Sequence, residues 1–321
     1  MTRVLLTGST GFVGQALSQK LLDKNFDLIA AVRKRSSTLP KLAKQVIIEG
    51  LTSEADWLAA LNGVSIVIHT AARVHVMNDN VADPLVEFRN VNVEGTLNLA
   101  KQAVSAGVKR FIFLSSIKVN GEATGIGKPF TADDSPSPID PYGISKAETE
   151  KALMEISAKS GMEVVIIRPV LVYGPDVKAN FLSMMRWLSR GFPLPLGAIN
   201  NKRSLVSIDN LIDLIIVCID HPAAANQVFL VSDGEDLSTT NLLQRLGNAL
   251  EKPARLISIP SGLINVVASL LGKRKVAQRL LGSLQVDITK TRELLNWSPP
   301  VSVDVALKQT AKVFLQKDNA D

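Results

Sequence analysis

The chain has 321 residues, 46% of them hydrophobic, 21% charged and 5% aromatic. So much apolar side chain excludes wholesale disorder, and at roughly 150 residues per domain the length suggests about two domains. Thirty-six basic against thirty acidic residues leave a mild net charge of +6, partly gathered in Arg33-Lys34-Arg35 and Lys273-Arg274-Lys275; with no broad basic stripe or interleaved aromatics, nucleic acid is excluded as a partner.

In chain order, residues 4–6, 28–32, 46–48, 66–68, 111–114 and 164–167 read as short, β-branched strands. Helical patterns over residues 14–24, 54–61, 91–106 and 142–160 alternate with them. Strands apolar on both faces and separated by helices require a parallel sheet covered on both sides. Right-handed crossovers then give an α/β, doubly wound (Rossmann) fold. Past Arg168 the rhythm changes, and prolines from Pro169 to Pro300 punctuate shorter elements. The expected organisation is a doubly wound first domain over residues 1–168, to which about 205–233 return through a helix at 209–219 and a strand at 228–231. A smaller C-terminal α+β substrate domain takes residues 169–204 and 234–321.

The longest apolar stretch, residues 262–272, is too short to span a bilayer. It joins the cations Lys273, Arg274, Lys275 and Arg279 in a helical pattern that reads as part of the second domain in preference to a membrane-surface contact. The start of the chain lacks the apolar core of a secretory signal. The expectation is a soluble, cytoplasmic protein with no transmembrane segment. Cys218 is the only cysteine, which leaves no intrachain disulfide, and its apolar surroundings suggest a buried thiol.

Thr7-Gly8-Ser9-Thr10-Gly11-Phe12-Val13-Gly14 spaces three glycines at i, i+3 and i+6 between a buried strand and a helix. The first allows a tight turn, the second lets backbone approach a pyrophosphate, and the third lets helix pack on strand. The helix N-terminus then offers free N–H groups and a positive dipole end. The cofactor is therefore a nicotinamide dinucleotide held by Gly8, Thr10, Gly11, Phe12, Val13 and Gly14. Roughly twenty residues on, where an NAD site places an acid on the ribose hydroxyls, this chain has Arg33 followed by Lys34, Arg35, Ser36 and Ser37. A cation there favours a 2′-phosphate, so NADP(H) is preferred, with NAD(H) the alternative if the run is only a solvated loop.

Tyr142-Gly143-Ile144-Ser145-Lys146 puts a phenol and an ammonium one turn apart on one helix face. Ionising a tyrosine near pH 7 needs about 4 kcal/mol of differential stabilisation, part of which a neighbouring cation supplies. Tyr142 is one of only two tyrosines and follows the fifth strand. It can exchange a proton with a sugar hydroxyl while hydride moves to or from the cofactor.

These features, with Ala71-Ala72 after strand four and Ser115-Ser116 after strand five, resemble the extended short-chain dehydrogenase/reductases. More narrowly the chain is similar to their nucleotide-sugar epimerase/dehydratase branch, over nearly its whole length. Asn92-Val93-Glu94-Gly95-Thr96, Arg168-Pro169-Val170-Leu171-Val172-Tyr173-Gly174-Pro175 and Leu294-Leu295-Asn296-Trp297-Ser298-Pro299 carry the likeness further. The resemblance implies a UDP-sugar substrate and a homodimer formed by two helices of the first domain. It implies Tyr142, Lys146 and Ser116 as catalytic residues, with Lys146 on the nicotinamide ribose, and adds Leu51, Ala71, Ala72 and Pro169 to the cofactor contacts. On the substrate side it implies Ser115, Ser116, Lys118, Asn180 and Arg203, the last suited to a diphosphate by its forked donors. Ser115 and Ser116 as strand-end caps, Arg203 as a structural ion pair and Lys118 as a solvated loop lysine stay open as alternatives.

Three departures narrow the reaction. Ile117 and Lys118 stand where dehydratases of this branch carry an Asp-Glu pair, which argues against dehydration. Leu171 replaces an asparagine that many epimerases use to bind the nucleotide-sugar. Glu49-Gly50-Leu51 replaces the usual Gly-Asp-Leu beside adenine. Asn120 also replaces a common tyrosine, without an assigned consequence. The run Ser115–Glu122 resembles a subgroup of bacterial surface-polysaccharide enzymes that reduce UDP-4-keto-6-deoxy-N-acetylhexosamines. The expected activity is thus an NADPH-dependent 4-ketoreductase, with a UDP-glucose or UDP-N-acetylglucosamine 4-epimerase as the alternative and a non-enzymatic redox sensor more distant. Three histidines, His69, His75 and His221, do not form a zinc motif, and no Gly-x-Ser-x-Gly elbow is present. His69 reads as a satisfied core residue.

Overall fold

The computed structural model describes residues 1–74, 83–125, 127–272 and 274–318. The first half runs β1 (Arg3–Thr7), α1 (Phe12–Asp23), β2 (Asp27–Val32), β3 (Lys44–Ile47), α2 (Leu58–Leu61), β4 (Ile66–His69), α3 (Pro84–Phe88), a π-helical turn (Arg89–Gly95), α4 (Thr96–Ser105), β5 (Arg110–Leu114), a 3-10 turn (Ile117–Val119), α5 (Pro141–Ser160) and β6 (Glu163–Pro169). It continues with β7 (Leu171–Tyr173), α6 (Ala179–Ser189), β8 (Arg203–Ser207), α7 (Ile208–Asp220), β9 (Gln227–Val231), β10 (Asp236–Leu237), α8 (Thr239–Ala249), α9 (Ser261–Leu270), α10 (Arg274–Leu281), α11 (Thr289–Leu295) and α12 (Val303–Asp318).

Seven strands form one sheet in the order β3-β2-β1-β4-β5-β6-β9, every neighbouring pair parallel. Alternation along β1 feeds two cores. Val4 and Leu6 pack with Leu17 and Leu21 of α1 and with the apolar face of α7, whereas Leu5 faces Leu99 and Ala103 of α4 and Leu153 of α5. This is the doubly wound α/β fold that the strand pattern requires. The chain reverses direction across the sheet between β1 and β4, and the crevice at such a switch point is where open α/β sheets bind ligands.

Two expected helices differ. The pattern over 54–61 becomes helical only at Leu58, because side chains of α4 satisfy the preceding backbone. Asn98 donates to the Ala55 carbonyl at 2.8 Å, and Gln102 both donates to it at 2.8 Å and accepts from the Trp57 N–H at 2.8 Å. The pattern over 91–106 starts earlier, at Pro84 behind the Asp83 cap, and widens into the π-helical turn before α4. Gly95 ends that turn where the backbone of Leu51 passes so close that an added Cβ would lie 2.6 Å from it.

A three-stranded sheet, β10-β8-β7, lies beyond β6. Its core joins Tyr173 and Leu205 to Phe181 and Met185 of α6, Leu242 and Leu246 of α8, and Leu307 and Phe314 of α12. Residues 205–207 therefore sit in the small sheet, and the chain returns to the large one through α7 and β9. The apolar pattern over 262–279 is two helices, α9 and α10, separated at Gly272, whose φ is +67°. Cys218 is buried in α7, and burial pushes its thiol up to about 12.

Candidate active site

The glycine turn leaves β1 at Thr7. Gly8 has φ +70°, and a Cβ there would lie 2.7 Å from the Ala71 nitrogen. The Gly11 N–H donates to the Gly8 carbonyl at 2.9 Å, and a Cβ on Gly14 would lie 2.1 Å from the same oxygen. Gly11 is the N-cap of α1 and brings no capping side chain, so the first N–H groups of the helix, beginning with Phe12 and Val13, suit an anion. Thr10 and Gly11 are exposed, while the Ser9 hydroxyl turns inward and donates to the Ala31 carbonyl at 3.1 Å. This backbone cradle fits a pyrophosphate.

Ala71 and Ala72 follow β4 directly beside it, the Ala71 N–H donating to the Thr7 hydroxyl at 3.3 Å. Leu51 is half-buried after β3 and Pro169 is buried at the end of β6. Arg33, Lys34 and Arg35 are exposed one step past β2. Glu49 is also exposed.

Asp140 caps α5, accepting from the Gly143 N–H at 2.7 Å, with Pro141 in the first turn. Tyr142, Lys146 and Glu150 then follow one per turn. The Tyr142 ring meets Phe88 edge-on at 6.0 Å. Burial, with the Asp140 charge second, pushes the Tyr142 phenol above its usual range. The buried Lys146 ammonium donates to the Leu114 carbonyl at 2.9 Å, lies 4.3 Å from the centre of the Phe113 ring and 5.9 Å from that of Tyr142. Burial pushes it down to about 7 against the opposing charge of Glu150. His69 stacks on Phe113 at 5.9 Å and its ring nitrogens meet the Thr7 and Thr96 hydroxyls at 2.8 and 3.0 Å. Burial and Lys146 push it down to about 3, so it is a neutral, satisfied core residue. His75 lies outside the described residues.

Ser116 is half-buried at the end of β5, its oxygen accepting from the Lys118 N–H at 3.3 Å. Ser115, expected against the substrate, instead turns inward and donates to Glu150. Glu150 is paired with Arg168 at 2.6 Å, both side chains buried. Arg168 also donates to Asn120 at 3.0 Å, and Asn120 donates to the Thr131 carbonyl at 2.9 Å. Asn120 thus completes a buried polar network behind the Tyr142 helix, where its amide can both accept and donate.

Ile117 is buried. Lys118, rather than standing in solvent, forms an ion pair with Asp140 and lies 3.7 Å from Glu122 and 5.9 Å from the centre of the Tyr142 ring. Asn180 is exposed in the first turn of α6. Arg203 opens β8 and donates to the Gly282 carbonyl at 3.0 Å, and burial lowers its pKa.

Two further buried polar groups are given no role by the sequence: Asn92, which stands there only as part of a family-like run, and Asp233. Asn92, inside the π-helical turn, accepts from the Arg73 N–H at 2.8 Å and donates to Ser145 at 3.0 Å; π-bulges of this kind cluster at functional sites. Asp233 accepts from the Tyr173 hydroxyl at 2.8 Å, the Ser207 N–H at 2.8 Å and the Asn210 amide at 2.7 Å. It ties β7 and β8 to the loop after β9. The recurrence of Tyr142, Lys146 and Glu150 at intervals of four was a legible signal for Glu150; no local spacing marks Asp233.

A dinucleotide-type cradle after β1 is joined by Ser116 after β5 and by Tyr142 and Lys146 on α5, and the chain belongs to the NAD dependent epimerase/dehydratase family, which it matches over residues 4–232. It is 52% identical to a protein of Vibrio cholerae named UDP-glucose 4-epimerase, over 98% of this chain and 96% of that relative. Its fold is shared by UDP-glucose 4-epimerase of Thermotoga maritima, solved with UDP-glucose, at a TM-score of 0.78 and 22% identity over 98% of this chain and 99% of that one. UDP-glucuronic acid 4-epimerase of Bacillus cereus, solved with NAD, gives a TM-score of 0.80 at 21% identity over 100% and 99%. No helix among the described residues is long and apolar enough to cross a membrane.

Proposed function

We propose that the chain moves hydride at C4 of a UDP-linked sugar, and that Tyr142 exchanges the C4 hydroxyl proton. The observation that carries this reading is the Tyr142 ring held 5.9 Å from the buried Lys146 ammonium, on a helix packed against the β5 end that bears Ser116. A bound nicotinamide dinucleotide supplies the hydride acceptor and donor. Tyr142 takes the C4 hydroxyl proton during oxidation and returns it to the C4 oxygen during reduction. Ser116 holds the same oxygen by a hydrogen bond. Lys146 binds the nicotinamide ribose and favours the phenolate by its charge. Gly8 through Gly14 hold the pyrophosphate, with Leu51, Ala71, Ala72 and Pro169 lining the rest of the cofactor, and Lys118, Asn180 and Arg203 face the nucleotide-sugar side. In this reading the large sheet with α7 and β9 is the cofactor unit, the small sheet with α6, α8 and α12 is the sugar unit, and two copies assemble through first-domain helices.

The Vibrio cholerae relative supports 4-epimerisation of a UDP-hexose as the first reading. C4 is oxidised, the keto sugar turns over, and hydride returns to the other face, so no cofactor is consumed. One observation favours a second reading, net reduction of a UDP-4-keto-6-deoxy-N-acetylhexosamine for surface polysaccharide. Arg33, Lys34 and Arg35 are exposed at the end of β2, where they suit the 2′-phosphate of NADP(H), and a net reductase must exchange its cofactor each turnover. A buried Ile117 and an ion-paired Lys118, in place of an Asp-Glu pair, support neither a dehydratase acid nor its base. Incubating the enzyme with UDP-glucose and no added cofactor, and separately with the 4-keto sugar and NADPH or NADH, separates the two. Interconversion of UDP-hexoses supports the epimerase. Stoichiometric loss of NADPH absorbance supports the reductase, and equal rates with NADH remove the role given to Arg33.

A further inference from the structure

We infer that α9, set in a stretch of sequence rich in cations, forms a docking surface for an anionic phospholipid bilayer. The inference stands apart from the reading of the active site. Residues 252–286 contain no aspartate or glutamate and six cations, Lys252, Arg255, Lys273, Arg274, Lys275 and Arg279. The chain as a whole has 36 basic and 30 acidic residues, so outside this stretch the two balance at thirty each. The whole net charge of the protein belongs to one segment.

The same segment holds the most exposed apolar helix among the described residues. None of the ten residues of α9 is buried. Leu263, Val266, Val267 and Leu270 recur at helical spacing on one stripe and are 55%, 57%, 48% and 82% exposed, and Leu271 behind them is 66% exposed. A helix this apolar, left outside the core, presents a face of the kind that marks interaction surfaces. At ten residues it is about 15 Å long, too short to cross a bilayer and suited to lying in the headgroup region.

Charge decides the occupant. A second copy docking by this face would bring two all-cationic segments together, and like charges oppose that. An anionic bilayer answers both features: its acyl boundary takes the apolar stripe, and its headgroups attract a stretch of sequence with six cations and no acid. The turn after α10 places Gly282 against Arg203 and Asn201, so the docked surface adjoins the sugar-side sheet.

The test is sedimentation of the full-length protein with vesicles of phosphatidylcholine alone or with about a third phosphatidylglycerol. The expected result is about tenfold more protein bound to the anionic vesicles, falling steeply with added salt. Leu263→Glu/Leu270→Glu, at exposed sites, should abolish binding while leaving nucleotide-sugar turnover and the far-ultraviolet spectrum unchanged. Arg274→Glu should weaken it. Equal, weak sedimentation with both vesicle types overturns the proposal. So does a self-associating protein whose mass without vesicles falls on Leu270→Glu, since a second copy would then cover the face.

Discussion

Lys118 and Asp140 form an ion pair at the N-terminus of the Tyr142 helix, which sets a cation beside the carboxylate that works against the phenol. Asp140 raises the Tyr142 pKa, and the Lys118 ammonium lies 5.9 Å from the Tyr142 ring. The charged groups beside the phenol are thus Asp140 at the cap of its own helix, Lys118 from the turn after β5, which Glu122 also approaches, and Lys146 one turn on. Replacing Lys118 by Met leaves Asp140 uncompensated. The expected outcome is a pH profile of kcat moved to the alkaline side by about one pH unit, hence about tenfold less activity near neutrality. Lys118→Met/Asp140→Asn should recover most of it, because asparagine also caps helices. An unmoved profile would leave Lys118 with a substrate-binding role alone.

The Glu150–Arg168 pair predicts a stability effect. Glu150→Ala leaves the Arg168 guanidinium buried beside only Asn120, and losing one partner of a buried pair costs about 3–5 kcal/mol. Ser115→Ala should cost about 1 kcal/mol, as for a single hydrogen bond. Denaturant unfolding at neutral pH checks both, and similar costs for the two would mean that the network is not organised around Glu150.

Lys146 predicts a pH dependence of stability in the cofactor-free protein. Its folded pKa, about 7, lies below the unfolded value of about 10.4. Between them the unfolded chain binds more protons, so stability rises with pH across this window. The contribution is fully present above the unfolded value and is lost as pH falls through the folded one. Relative to Lys146→Met, the wild type should gain on the order of a few kcal/mol from pH 7 to 10. Parallel unfolding curves at every pH would contradict a depressed Lys146.

Gly14→Ala tests the cradle. The new Cβ would sit 2.1 Å from the Gly8 carbonyl, so helix and turn must separate. Overpacking of this kind costs about 1–3 kcal/mol, and dinucleotide affinity should fall at least about tenfold because the aligned N–H groups move. Calorimetric titration with NAD(H) and NADP(H) reads the change.

Much of the first half of this fold was written in the residues. β1, β2 and β4 are built on continuous apolar runs, and Gly8 and Gly14 carry a backbone requirement that no other residue meets. Lys146 and Tyr142 were readable because a four-residue interval puts them on one helix face. What a linear reading missed depends on partners distant in sequence. Ser115 looked like a substrate contact, but Glu150, itself paired with Arg168, claims its hydroxyl. Asn120 looked like an unexplained replacement until Arg168 and Thr131 met its two ends. The short α2 follows from Asn98 and Gln102 reaching back to Ala55. In each case a buried polar group is satisfied across elements, and local spacing carries no record of that.

Whether Tyr142 exchanges the proton at C4 is decided by Tyr142→Phe. Phenylalanine keeps the ring against Phe88 and removes only the hydroxyl, so folding and dinucleotide affinity should be unchanged. In single-turnover assays with UDP-glucose, and with a UDP-4-keto-6-deoxy-N-acetylhexosamine, the account predicts a loss of about 10²–10⁴-fold in the substrate that the wild type converts. Turnover by Tyr142→Phe at the wild-type rate would contradict it.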